Sequence, residues 1–125
     1  LLITFDDETV GIIDCKVTTS EMNEDKVSHY RPQLEAYAYA IENASNTTPR
    51  KVSETGLMMW RVDGAVEKEN QTFGFSTNHS YLSAGRKPES FLELVKEVID
   101  CIEGDIPESG EDCKNCKYVE KRLGI

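Results

Sequence analysis

Asp14-Cys15-Lys16, at the end of the apolar run Val10-Gly11-Ile12-Ile13, sets a carboxylate and an amine two residues apart. On a strand, side chains two apart share a face. A carboxylate held beside an ammonium at the end of a buried strand suits a divalent metal, with the amine steering a water or an anion. Taken alone, such a pair is more often a solvated strand end. A second element adds weight: the helical stretch from Ser28 to Asn43 carries Gln33 and Tyr37 at an i, i+4 spacing, one above the other on one face. Their ordinary alternative is helix packing. Tyr37 falls in the apolar stripe Leu34, Tyr37, Ala38 and Ile41, whereas an amide turned toward a core needs a partner. Tyr30 and Arg31, a turn earlier, can approach the same end but fit a solvated helix face better.

Several elements must position these residues. Leu1 to Phe5 and Val10 to Val17 read as a hairpin about the turn Asp6-Asp7-Glu8-Thr9. A turn centred between Asp7 and Glu8 sets Leu1, Ile3 and Phe5 opposite Asp14, Ile12 and Val10, on one face. Asp14 and Lys16 then end an apolar face. The polar stretch Thr18 to Lys26 reads as a mobile connection, in the place where a substrate strand would pass. Ser28 reads as the helix cap, with Pro32 tolerated in the first turn. Gly56-Leu57-Met58-Met59-Trp60 predicts a third strand, about Thr55 to Val62, buried on both faces. Asp63-Gly64 signals a hairpin into Ala65 to Phe75, followed by a polar loop from Asn78 to Pro88. A second helix, about Glu89 to Glu103, carries Phe91, Leu92, Leu94, Val95, Val98 and Ile99 at helical spacing. The order β-β-α-β-β-α fits an α/β fold, a mixed sheet flanked by helices.

The 125 residues suit one domain, 1–125, with 108–125 a cysteine-containing tail. No apolar segment approaches the roughly 20 residues of a membrane span, and no signal peptide is evident. These features imply a cytoplasmic protein with no membrane partner. A net charge of −9 argues against a stand-alone, sequence-blind DNA binder, because Lys and Arg supply most non-specific affinity for phosphate. Three basic pairs, Arg50-Lys51, Arg86-Lys87 and Lys121-Arg122, read as solvated loops or as phosphate contacts. Cys15 and Cys101 read as buried and unpaired, and Cys113 and Cys116 as a neighbouring, accessible C-x-x-C pair in a reducing compartment. A redox or metal-binding module on that pair is a lesser alternative, since two thiolates do not close a tetrahedral zinc site.

The strand ending in Asp14-x-Lys16, followed by a helix bearing Gln33-Leu34-Glu35-Ala36-Tyr37, resembles the PD-(D/E)XK nuclease superfamily in its RecB-like branch, which carries Q-x-x-x-Y. The resemblance is carried by residues 1 to 60. It implies a restriction-endonuclease-like core, truncated at its N-terminus, that hydrolyses DNA phosphodiesters with Mg²⁺ or Mn²⁺. Asp14 and the main-chain carbonyl of Cys15 would ligate the metal. Lys16 would orient or help deprotonate water and offset charge at the phosphate, while Gln33 and Tyr37 would position the lysine and touch the nucleic-acid backbone.

The superfamily's further acid, on the preceding strand, is expected just before Leu1, and Asp6 and Asp7 are poor substitutes. His29 and His79 do not match the histidine of the branch's upstream helix. Relatives with an iron-sulfur cluster use four cysteines, so Cys113 and Cys116 supply half a site and a cluster is not expected from this chain alone. The resemblance implies DNA as a partner, with a helicase or other nuclease-complex subunit beside it, in repair, recombination or defence. The competing class is a nuclease-fold scaffold or binding domain without the chemistry.

Overall fold

The computed structural model describes residues 1–21, 23–68, 72–105 and 110–124. The chain divides into two compact units, Leu1–Phe91 and Leu92–Ile125. The first holds β1 (Leu2–Thr4), β2 (Val10–Thr18), α1 (Glu24–Glu42), β3 (Val52–Lys68) and β4 (Thr72–Ser83). Its four strands form one mixed sheet in the order β1-β2-β3-β4, with the central β2/β3 pair parallel and both outer pairs antiparallel. Two helices follow, α2 (Pro88–Glu103) and α3 (Lys114–Leu123), so the expected α/β order is met and extended by one helix.

The β1–β2 hairpin forms, but one residue out of the expected register. Phe5 N donates to Thr9 O and Glu8 N donates to Phe5 O, both at 3.0 Å, which closes a three-residue loop with Glu8 at φ 65°. An odd loop makes Leu2 face Ile12 and Thr4 face Val10. This slip turns β1 over. Ile3 and Phe5 now lie over Gly11 on the sheet face away from Val10 and Ile12, and Leu1 pairs with Ile13 rather than with Asp14.

The connection from β2 to α1 is stapled. Lys26 Nζ donates to Thr18 Oγ1, Ser20 O and Ser20 Oγ at 2.6 to 3.3 Å. Asn23, not Ser28, caps α1 by accepting from Lys26 N, and Glu24 and Asp25 complement the dipole of the first turn. Pro32 therefore sits inside the helix, where its ring removes one backbone bond. Packing compensates: Val27, Leu34 and Ala38 of α1 are buried with Val10, Ile12, Val52, Leu57, Met59 and Ala84.

Contrary to expectation, the middle of β3 is closed over on one face and largely open on the other. Leu57 and Met59 are sealed under α1, whereas Met58 is half-buried and Trp60 exposed on the opposite face. Gly56 on that face admits the Tyr81 ring, which any Cβ would strike. Asp63-Gly64 is a bulge rather than a hairpin turn: the register with β4 shifts between Val62 and Gly64, and Arg61 and Asn78 both bond the Asp63 carboxylate. β3 consequently runs on to Lys68, and β4 absorbs residues expected to be loop. The link between these strands lies outside the described residues.

After β4 the chain turns at Gly85, whose φ of 61° favours glycine. Thr55 holds this turn, accepting from Ala84 N and donating to Gly85 O. The turn delivers Arg86 into a network, neither the solvated loop nor the phosphate contact considered for the Arg86-Lys87 pair. Its guanidinium meets Glu35 Oε2 at 3.2 Å, grips both oxygens of Glu42 at 2.9 Å and donates to Val52 O. Lys87 N donates to Glu35 Oε1 at 2.6 Å and Val52 N to Glu42 Oε1 at 2.9 Å. Glu35 is 1% exposed, so its two oxygens are satisfied by these partners rather than by water.

In the second unit, Leu92, Leu94, Val98, Ile99 and Ile102 of α2 retain substantial exposure. The tail is part helix. Cys113 precedes α3 and its sulfur accepts from Cys116 N at 3.1 Å, in the manner of a cap. Cys113 and Cys116 lie together as expected, joined to each other as a disulfide, and are half-buried rather than openly accessible. Cys15 and Cys101 are unpaired as expected but exposed, not buried. For Cys15 the reason is its position on the uncovered sheet face. Among the described residues, no helix is long and apolar enough to cross a membrane.

Removing the guanidinium strands a buried carboxylate. Arg86→Met is therefore expected to cost about 3–5 kcal/mol in urea unfolding, and adding Glu35→Gln should recover part of the loss. Arg86, then the Val52 amide, hold the Glu42 pKa below its ordinary 4.5 despite burial. Glu42 thus contributes stability that is present above that value and lost as pH falls through the lowered folded pKa. In Arg86→Met this acid-side loss should shrink.

Candidate functional site

The even residues of β2 face α1. Val10 and Ile12 are buried there, and Asp14 and Lys16 continue the same face beyond the core. Lys16 Nζ lies 2.8 Å from Asp14 Oδ2 and donates to Gln33 Oε1 at 3.1 Å. Gln33 Nε2 in turn donates to Tyr37 Oη at 2.6 Å. The four residues singled out from sequence thus form one continuous polar chain from strand to helix. Asp14 and Lys16 keep 20% and 24% of their side-chain exposure, enough for access by solvent.

Each link has a local cause. The strand period sets Asp14 and Lys16 side by side, and the helix period stacks Gln33 beneath Tyr37. Tyr37 is 45% exposed and so does not belong to the packed stripe, while Leu34 and Ala38 seal the core behind it. Arg31 does not reach the site, because its guanidinium donates to Ala84 O at 3.1 and 3.3 Å. Tyr30 does reach it: its ring centroid lies 4.5 Å from Lys16 Nζ. The sequence signal for Tyr30 is its place three residues before Gln33 and seven before Tyr37, in one stripe.

Asp14, first as a direct partner and then through its charge, raises the Lys16 pKa above its ordinary 10.5 against the opposing effect of burial. Lys16 is an ammonium at neutral pH. The Asp14 Oδ2 atom is closed off from water and has no hydrogen bond beyond this ion contact among the described residues. A carboxylate oxygen has two lone pairs, so the lysine contact leaves one that can accept a cation. Ile13 exchanges backbone hydrogen bonds with Leu1 in both directions. The Cys15 carbonyl, two residues on, points to the same edge of β2. The Cys15 side chain lies on the other face. Among the described residues, no three His, Cys, Asp or Glu side chains gather as metal ligands. A cation held here would keep much of its water, as Mg²⁺ commonly does. A cleft of about 310 Å³, lined by Leu2, Ile12, Asp14, Tyr37, Ala40 and Ile41 among others, opens beside the carboxylate.

Compared with known families, residues 1–120 match the model of the PD-(D/E)XK nuclease superfamily. The match spans nearly the whole chain, well beyond the Asp14-to-Tyr37 segment, and the chain belongs to that superfamily. Its mixed four-stranded sheet with helices is consistent with the restriction-endonuclease-like fold. No curated protein and no solved structure matches it.

Asp14→Asn is expected to lower the Lys16 pKa, read by NMR titration of its side-chain nitrogen. The raised value means that the stability from this pair is full below about 10.5 and is lost as pH rises through the folded pKa. Asp14→Asn should flatten that alkaline loss.

Proposed function

We propose that this chain is the catalytic core of a metal-dependent DNA nuclease of the RecB-like branch. The observation that carries the proposal is the unbroken chain from Asp14 through Lys16 and Gln33 to Tyr37, in a member of a nuclease superfamily. Asp14 Oδ2, with lone-pair capacity beyond its Lys16 contact, and the main-chain carbonyl of Cys15 fit a hydrated divalent ion, Mg²⁺ or Mn²⁺. When bound, such an ion polarises a phosphodiester oxygen and makes its water a better nucleophile.

The remaining work falls to this chain's own side chains. Lys16, kept as an ammonium, orients an attacking water or offsets charge that develops on the phosphate. Gln33 holds the amine through its carbonyl oxygen. Because Tyr37 Oη accepts from Gln33, its own proton is left to donate outward, toward a backbone phosphate oxygen. The net charge of −9 favours a setting in which a helicase or other nuclease subunit supplies the basic DNA-holding surface, as in repair, recombination or defence assemblies.

The test is phosphodiester cleavage by the full-length protein that carries these residues. Cleavage should require Mg²⁺ or Mn²⁺ and stop with EDTA. Asp14→Ala and Lys16→Ala should each lower kcat by about a hundredfold or more while the protein remains folded. Full activity in Lys16→Ala would refute the assignment. Intact DNA together with no measurable metal binding would favour a nuclease-fold scaffold instead.

A further inference from the structure

Lysine is a poor instrument for fixed geometry, because its ammonium sits on a flexible four-carbon stem. Asp14 at 2.8 Å and Gln33 at 3.1 Å restrain two sides of Lys16 Nζ. The Tyr30 ring, 4.5 Å from ammonium to centroid, lies along a third. A ring face carries negative charge density and attracts a cation, most strongly where water is partly excluded. The ring is itself held. Tyr30 is half-buried against the core cluster, and the His29 ring meets it edge-on at 5.0 Å and 82°.

We propose that Tyr30 is a positioning residue for Lys16, its ring face holding the ammonium where Gln33 and Asp14 can fix its direction. Tyr30 acts through Lys16 and not on substrate. Its ring, not its hydroxyl, matters, so Phe should replace it and an aliphatic residue of similar bulk should not. The inference rests on the nuclease reading for its catalytic consequence, but the contact itself is measurable without any reaction.

The first measurement is the chemical shift of the Lys16 εCH₂ protons. The ring current should move them upfield of the other lysines in the unsubstituted protein, leave them upfield in Tyr30→Phe and release them in Tyr30→Leu. The second is steady-state DNA cleavage by the full-length protein. Tyr30→Leu should lower kcat about tenfold with little change in KM, and Tyr30→Phe should stay within about twofold of the unsubstituted enzyme. An unshifted Lys16 signal in the unsubstituted protein overturns the proposal, and this holds even if Tyr30→Leu fails to fold. So does a normal kcat in a folded Tyr30→Leu, or an equal loss in Tyr30→Phe. If the unsubstituted protein cleaves no DNA, the nuclease reading and the catalytic half of this proposal fall together, and the chemical shift still decides the contact.

Discussion

Arg86 is the point on which the first unit hangs. A guanidinium can satisfy several acceptors at once, and this one reaches Glu35 and Glu42 of α1 and the Val52 carbonyl at the start of β3. Arg86 itself follows β4. One side chain therefore ties the crossover helix to the strand it leads into and to the exit from the last strand. Such a cluster is not a large net source of stability, because three charges must leave water to make it. What it supplies is uniqueness: any rotation of α1 or slip of β3 leaves the nearly buried Glu35 carboxylate without its partners.

That constraint bears directly on the polar chain at the sheet edge. Glu35 and Gln33 are two residues apart on α1, about 200° around a helix with 3.6 residues per turn. Anchoring Glu35 on one side therefore turns Tyr30, Gln33 and Tyr37 toward Lys16 on the other. Leu34 and Ala38, fully buried between the two polar sides, fix the distance of the helix from the sheet. The site is rigid because a helix is clamped from behind and packed from below. Lys16 is then met by groups already in place.

The two faces of the sheet are unequal. Under α1 the core is closed, while the opposite face carries Ile3, Phe5, Met58, Trp60 and Tyr81 at partial exposure. Tyr81 donates to Glu54 Oε1 at 2.6 Å, and burial, then that carboxylate, push its phenol up to about 12. The Asp14, Lys16, Gln33 and Tyr37 side chains of the candidate site stand together on the α1 side of the sheet.

Much of the site was legible in the residues themselves. Asp14 and Lys16 two apart on a strand, and Gln33 and Tyr37 four apart on a helix, can hardly fail to share their faces, because those periods are local backbone geometry. The mixed α/β order was equally readable from runs of apolar residues and their spacing. Tertiary structure decided what local patterns leave open. The hairpin register turned on a three-residue rather than a four-residue loop, which one sequence accommodates equally well and which flips every side chain of β1. Asp63-Gly64 carries the same signal for a turn as for a bulge, and pairing with β4 chose the bulge. The α1 start passed from Ser28 to Asn23 because Lys26 closes the preceding loop onto Thr18 and Ser20. Arg86 read as a surface cation. Only the return of the chain at Gly85, bringing it against two glutamates 44 and 51 residues away, made it the centre of the fold. Contacts over such separations depend on how the elements close upon one another, and no local period encodes them.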